Sequence, residues 1–205
     1  MKILFISLGC DKNLADSEEM LGLLTGSGHE IVDSEEDADA IVINTCCFIH
    51  DAKEESVNTI LEMAEYKKTG SCKALIVTGC MAQRYKEEIT QEIPEVDAVL
   101  GTTSYGDIVK ALNEAQAGHV FQEFRDINEL PEDSGRRVLT TGGHFGYLKI
   151  AEGCDKHCTY CIIPSLRGKF RSVPEERLLA QAEYMASQGV KELILVAQET
   201  TVYGT

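Results

Sequence analysis

The chain has 205 residues, 43% of them apolar and 26% charged, with a formal net charge of −15 at pH 7. That apolar content argues against disorder, and the length leaves room for one full domain and part of a second. The negative balance argues against direct nucleic acid binding and suits a basic protein partner.

Lys2 to Ser7 reads as a short buried strand, and Leu14 to Thr25 as a helix with Leu21 and Leu24 at helical spacing. Gly26 to Gly28 breaks the chain before strands at His29 to Val32 and Ala40 to Asn44. Val57, Ile60, Leu61 and Ala64 form the apolar stripe of a helix from Asp51 to Lys68, with Asp51 and Glu54 placed as a capping pair. Strands at Ala74 to Thr78 and Asp97 to Leu100 follow, alternating with helices at Ala82 to Glu92 and Tyr105 to Gln116. This alternation predicts an α/β fold, a flavodoxin-like doubly wound parallel sheet, over residues 1–138. Periodicity weakens from Gly118 to Gly143, an interdomain connection with room for a short strand or two. A second domain, 139–205, then opens with a strand at Tyr147 to Ala151, a helix begun by Pro174 and ended by Gly189, and a strand at Glu192 to Ala197. It reads as the beginning of an α/β barrel.

No apolar run approaches the roughly 20 residues of a membrane span, and Met1 to Ile6 is too short for a signal peptide. The expected compartment is the cytoplasm, where eight cysteines are expected to include metal ligands rather than disulfides. Cys154, Cys158 and Cys161 form a CxxxCxxC loop, Gly153-Cys154-Asp155-Lys156-His157-Cys158-Thr159-Tyr160-Cys161. Three thiolates hold three irons of a 4Fe-4S cube and leave the fourth open, whereas structural zinc takes four ligands. The competing zinc reading needs His157 as the fourth ligand, but adjacent His157 and Cys158 make poor partners on one tetrahedron. Cys10, Cys46 and Cys80 each follow a predicted strand, and the carboxyl ends of parallel strands share one edge, so these thiols are expected to converge on a second iron–sulfur site. Glycine before Cys10 and Cys80 would let the backbone pass close to an inorganic core. The alternative is three small buried apolar residues, the reading given to Cys47 and Cys72. His29, His50, His119 and His144 show no ligand spacing.

The CxxxCxxC loop resembles the signature of the radical S-adenosylmethionine enzymes, and its continuation through Ser165-Leu166-Arg167-Gly168 resembles the methylthiotransferases. Ser7-Leu8-Gly9-Cys10-Asp11-Lys12-Asn13 with Asp16-Ser17-Glu18, and Asn44-Thr45-Cys46-Cys47-Phe48-Ile49 with Ala52 to Ser56, resemble the branch that modifies protein twelve of the small ribosomal subunit. The family often has Gly at the position of Cys47 and Pro-Arg-His-Tyr in place of Gly142-Gly143-His144-Phe145; neither substitution touches an expected ligand.

The resemblance implies two 4Fe-4S clusters and S-adenosylmethionine. The cluster on Cys154, Cys158 and Cys161 would cleave the cofactor to a 5′-deoxyadenosyl radical, and the one on Cys10, Cys46 and Cys80 would present sulfur. The product would be a methylthio group on the β-carbon of an aspartate in a basic ribosomal protein, with a flavodoxin or ferredoxin as electron donor. Radical chemistry is required because an unactivated C–H bond offers no handle to an acid or base. Tyr160 is expected against the adenine, and Gln198 and Glu199 at the cofactor's edge of the barrel. The family's proteins continue through the rest of the barrel into a β-rich domain, so this chain reads as truncated. The alternatives are the same chemistry on transfer RNA adenosine, a non-catalytic iron–sulfur module, and an inactive fragment.

Overall fold

The computed structural model describes residues 1–132, 135 and 137–204. Six parallel strands form the main sheet: β1 (Lys2–Ser7), β2 (Glu30–Val32), β3 (Ala40–Thr45), β4 (Ala74–Gly79), β5 (Ala98–Leu100) and β6 (Phe121–Glu123), in the order β2-β1-β3-β4-β5-β6. It is the doubly wound, flavodoxin-like arrangement expected. Every residue of β3 and β4 is buried, as strands covered on both faces require. Alternate side chains feed opposite cores. Ile41, Ile43, Leu75 and Val77 pack with Ile60 and Met63 of α2 (His50–Thr69), while Ala40, Val42 and Ile76 pack with Met20 and Leu24 of α1 (Asp11–Gly26). Leu112 of a later helix, Ile108–Gln116, joins the second core.

Several boundaries differ from the sequence expectation. The capping pair does not form: α2 starts at His50, its N-cap is Ile49, and no side chain caps it. The single helix expected at 82–92 is two, α3 (Cys80–Arg84) and α4 (Lys86–Glu92). Tyr85 leaves helical geometry between them (φ −119°, ψ 41°), its ring packed on the core with Lys53 Nζ 4.6 Å from the centroid. The helix expected from Tyr105 is a 3-10 turn, Tyr105–Asp107, followed by α5 (Ile108–Gln116). The connection from 118 to 143 supplies β6, which closes one edge of the sheet.

The second half holds β7 (Phe145–Lys149), β8 (Ala151–Glu152), α6 (Ile163–Arg167), β9 (Arg171–Ser172), α7 (Glu175–Ser187) and β10 (Glu192–Val196). β7 and β10 pair in parallel and α7 crosses between them, the repeating unit of an α/β barrel. Leu148, Ile150, Val173, Leu178, Met185 and Val190 form its core. The strand expected at 147–151 is split by pairing: β7 joins β10, whereas β8 forms an antiparallel ribbon with β9. α6 was not foreseen from the sequence. Its Leu166 is buried in the core of the first half, and Thr102 Oγ1 donates to the Leu166 carbonyl at 2.8 Å. No helix among the described residues is long and apolar enough to cross a membrane.

α1 joins the halves through charge. Asp16, Glu18 and Glu19 are buried on it, a position that costs several kcal/mol, on the order of 3–5, when a carboxylate lacks its partner. Each is paired. Glu18 accepts from Arg137 Nε at 2.8 Å, Thr140 N at 2.7 Å and Thr140 Oγ1 at 2.8 Å, Asp16 binds Lys149 and Arg167, and Glu19 accepts from the Tyr105 hydroxyl at 3.0 Å.

Candidate metal centre

The register of the sheet brings the first three cysteines to one edge. Ser7 pairs with Asn44, and Thr45 with Gly79, so the chain leaves three neighbouring strands at the same level just before Cys10, Cys46 and Cys80. All three line one cavity of about 970 Å³, together with Leu8, Phe48 and, from the second half, Leu166, Arg167 and Gln198. Cys46 and Cys80 are buried and Cys10 is exposed. Among the described residues no three His, Cys, Asp or Glu side chains are grouped to hold a single metal ion; these thiols are spread around a space instead.

Polar contacts hold the three loops in place. The Cys46 N–H donates to Ser56 Oγ at 3.0 Å, and that hydroxyl donates back to the Cys46 carbonyl at 2.7 Å, tying Cys46 to α2. Asn13 is fully buried; its Nδ2 donates to the carbonyls of Leu8 at 3.1 Å and Thr45 at 2.9 Å. Its Oδ1 accepts from Arg167 Nη2 at 2.6 Å and lies 3.8 Å from Cys80 Sγ. Burial pushes the Cys80 thiol up, opposed by the charge and hydrogen bond of Arg167.

The glycines serve the protein's own packing. Gly79 has φ +93°, and a Cβ there would overlap Asn44 Oδ1 and the Thr45 backbone; one at Gly9, also φ +93°, would meet Cys46 Cβ at 2.7 Å. The close approach is therefore between the cysteine loops themselves. Gly79→Ala is expected to lower stability by more than about 1 kcal/mol, because the new Cβ must occupy a left-handed conformation and displace backbone. Equilibrium urea unfolding checks this; an unchanged midpoint would contradict the geometry.

Cys47 and Cys72 point elsewhere. Cys47 Sγ donates to the Cys80 carbonyl at 3.3 Å, and burial, with Cys80 adding, pushes its thiol up to about 11. Cys72 Sγ donates to the Ala74 carbonyl at 3.4 Å. Neither lines the cavity.

Cys154, Cys158 and Cys161 lie on an irregular loop, with Cys158 exposed and the other two half-buried. They are not among the side chains lining the first cavity. The loop is anchored at its start, where Gly153 N–H donates to Gln198 Oε1 at 3.0 Å and Cys154 N–H to the Gly168 carbonyl at 3.1 Å. Gln198 thus joins this loop to the cavity of the first set. Glu199 pairs with Lys156 inside the loop and accepts from Thr201, and the Lys156 hydrogen bond, then those of Thr201, hold its carboxyl down at about 2. Tyr160, between the second and third cysteines, is 90% exposed.

Both donor sets fit iron–sulfur clusters in type: each offers three thiols, the first around a roomy cavity with a buried cation beside Cys80, the second on a loop with an open face. Sequence reasoning missed Asn13, Ser56 and Arg167 as parts of the site. All three stand inside segments quoted for their family resemblance, yet only the fold reveals what they touch.

Two family profiles match the chain. The profile described as "Uncharacterized protein family UPF0004" matches residues 2–101, and that of the Radical SAM superfamily matches residues 148–204. The chain is 66% identical over 204 residues to the "Ribosomal protein uS12 methylthiotransferase RimO" of Lachnoclostridium phytofermentans, covering 100% of this chain and 46% of that protein. It is 50% identical over 204 residues to the protein of the same name from Clostridioides difficile, again covering 100% and 46%. The chain spans about half the length of the curated relatives it matches.

Proposed function

Since this chain belongs to the radical S-adenosylmethionine methylthiotransferase family, we propose that it is the cofactor-bearing half of an enzyme that methylthiolates ribosomal protein uS12. The observation that carries the reading is the convergence of Cys10, Cys46 and Cys80 on one cavity, beside a second half whose CxxxCxxC loop supplies a separate three-thiol set. We place the division between the two units at residues 138 and 139, and the reaction at the β-carbon of an aspartate. When bound, a 4Fe-4S cluster on Cys154, Cys158 and Cys161 would supply the electron that cleaves S-adenosylmethionine, and one on Cys10, Cys46 and Cys80 would supply sulfur.

The chain's own residues hold the geometry. Ser56 and Asn13 fix the backbone around the first set, so its thiols are arranged before any cluster is loaded. Gln198 ties the start of the CxxxCxxC loop to the cavity wall, and the Lys156–Glu199 pair clamps its middle. Phe48 and Ile49, each about half exposed on the cavity lining, form an apolar rim that a substrate segment would cover. Tyr160 is free to close on an adenine. The net charge of −15 suits a basic protein substrate, with a small flavodoxin or ferredoxin as electron donor and the cytoplasm as compartment.

Anaerobic reconstitution followed by iron and acid-labile sulfide assays tests the cofactor reading. Two 4Fe-4S clusters per chain are expected, retained in Cys47→Ala and Cys72→Ala because those thiols face backbone carbonyls rather than the cavity. Stoichiometric zinc without labile sulfide would end the reading. For the substrate, the 205 residues joined to the remaining sequence of the Lachnoclostridium relative would be incubated with uS12 and, separately, with transfer RNA. A methylthio group found by mass spectrometry on the protein's aspartate supports the proposal, and one on an adenosine of the RNA overturns the choice of substrate.

A further inference from the structure

We propose that Arg167 is a positioning residue for the first thiolate set, lent by the second half of the chain to place a positive charge against Cys80. This rests on the reading of Cys10, Cys46 and Cys80 as cluster ligands. Among the described residues lining the cavity, two are cationic, Lys12 and Arg167. Lys12 is partly exposed and its Nζ is bound to Asp11 at 2.6 Å, whereas Arg167 is 3% exposed.

The guanidinium binds two carboxylates and shares an Asn13 oxygen with the Cys80 thiol. Nη2 donates to Asn13 Oδ1, the oxygen that also neighbours Cys80 Sγ, while Nη1 faces Asp16 Oδ2 at 2.8 Å and Glu152 Oε1 at 3.4 Å. Lys149 binds the same two carboxylates. Of these four groups, two cations and two carboxylates, Arg167 is the one that lines the cavity of the first cysteine set. On a buried side chain such a charge is weakly screened. It favours the reduced, more negative state of a nearby cluster. Arg167 also lies six residues after Cys161 and is carried by α6, which packs against the first half, so the first set acquires this cation only when the two halves are docked.

The test uses the full chain carrying Cys154→Ala, Cys158→Ala and Cys161→Ala, so that only the first set can load, and reads iron, sulfide and midpoint potential. Three variants are made in this parent. Arg167→Gln with Asp16→Asn removes one charge of each sign, leaving the Lys149–Glu152 pair intact; its potential is expected to fall by a tenfold shift in the redox equilibrium, about 59 mV for a one-electron couple. Asp16→Asn alone keeps Arg167 and strips its counter-charge, so its potential is expected to rise. Arg167→Lys, which keeps the charge, should recover most of the parent's potential. A residue acting only as a structural clip would not move the potential in opposite directions. Unchanged potentials in variants that load iron normally would overturn the assignment while leaving the cluster reading intact. A parent that takes up neither iron nor sulfide would overturn both.

Discussion

Replacing Cys154, Cys158 and Cys161 together by alanine is expected to remove half of the reconstituted iron and sulfide and to reduce cleavage of S-adenosylmethionine to background. Replacing Cys10, Cys46 and Cys80 should remove the other half, leave cleavage measurable and stop methylthiolation. The separation follows from placement. The first set rims a cavity at the carboxyl edge of a six-stranded sheet, and the second lies on an irregular loop between β8 and α6, outside that lining. Loss of either cluster should therefore leave the other's ligands where they are. Iron and sulfide content is read on the 205-residue chain, and cleavage and methylthiolation on the chain completed with the Lachnoclostridium sequence. Loss of cleavage in the Cys10, Cys46 and Cys80 variant, with its remaining cluster intact, would sink the division of labour.

Glu18→Ala should be the most damaging single change away from the cysteines. Glu18 is wholly buried, and its carboxylate accepts three hydrogen bonds, one from Arg137 Nε and two from Thr140, with Arg137 Nη2 at ion-pair distance, 2.7 Å. Removing it strands the guanidinium of Arg137, which is 6% exposed, and an uncompensated buried charge of this kind costs about 3–5 kcal/mol. Urea unfolding should show that loss as a lower midpoint. The exposed Glu30→Ala is the control, expected within about 0.5 kcal/mol of the parent. Equal effects from the two substitutions would mean that the charge array does not hold the halves together.

The sequence by itself determined the sheet and the meeting of Cys10, Cys46 and Cys80. The three strands that precede the cysteines, β1, β3 and β4, are local apolar runs, and parallel strands necessarily present their carboxyl ends on one edge, so three cysteines placed just after them need no long-range information to be brought together. The CxxxCxxC loop is likewise local. Tertiary structure alone decided what surrounds them. Apolar spacing in α1 reveals Leu21 and Leu24, but Asp16 and Glu18 look like a solvated face until their partners arrive from 119 to 151 residues away: Arg137, Lys149 and Arg167. The short helix that carries Arg167 has no periodicity of its own to betray it, since five residues make little more than one turn and its stability comes from burying Leu166 in the other half. Local patterning encodes the strands and the cysteines placed at their ends, because those depend on neighbours in the chain. The pairing of buried charges depends on which distant surfaces meet, and only the folded molecule specifies that.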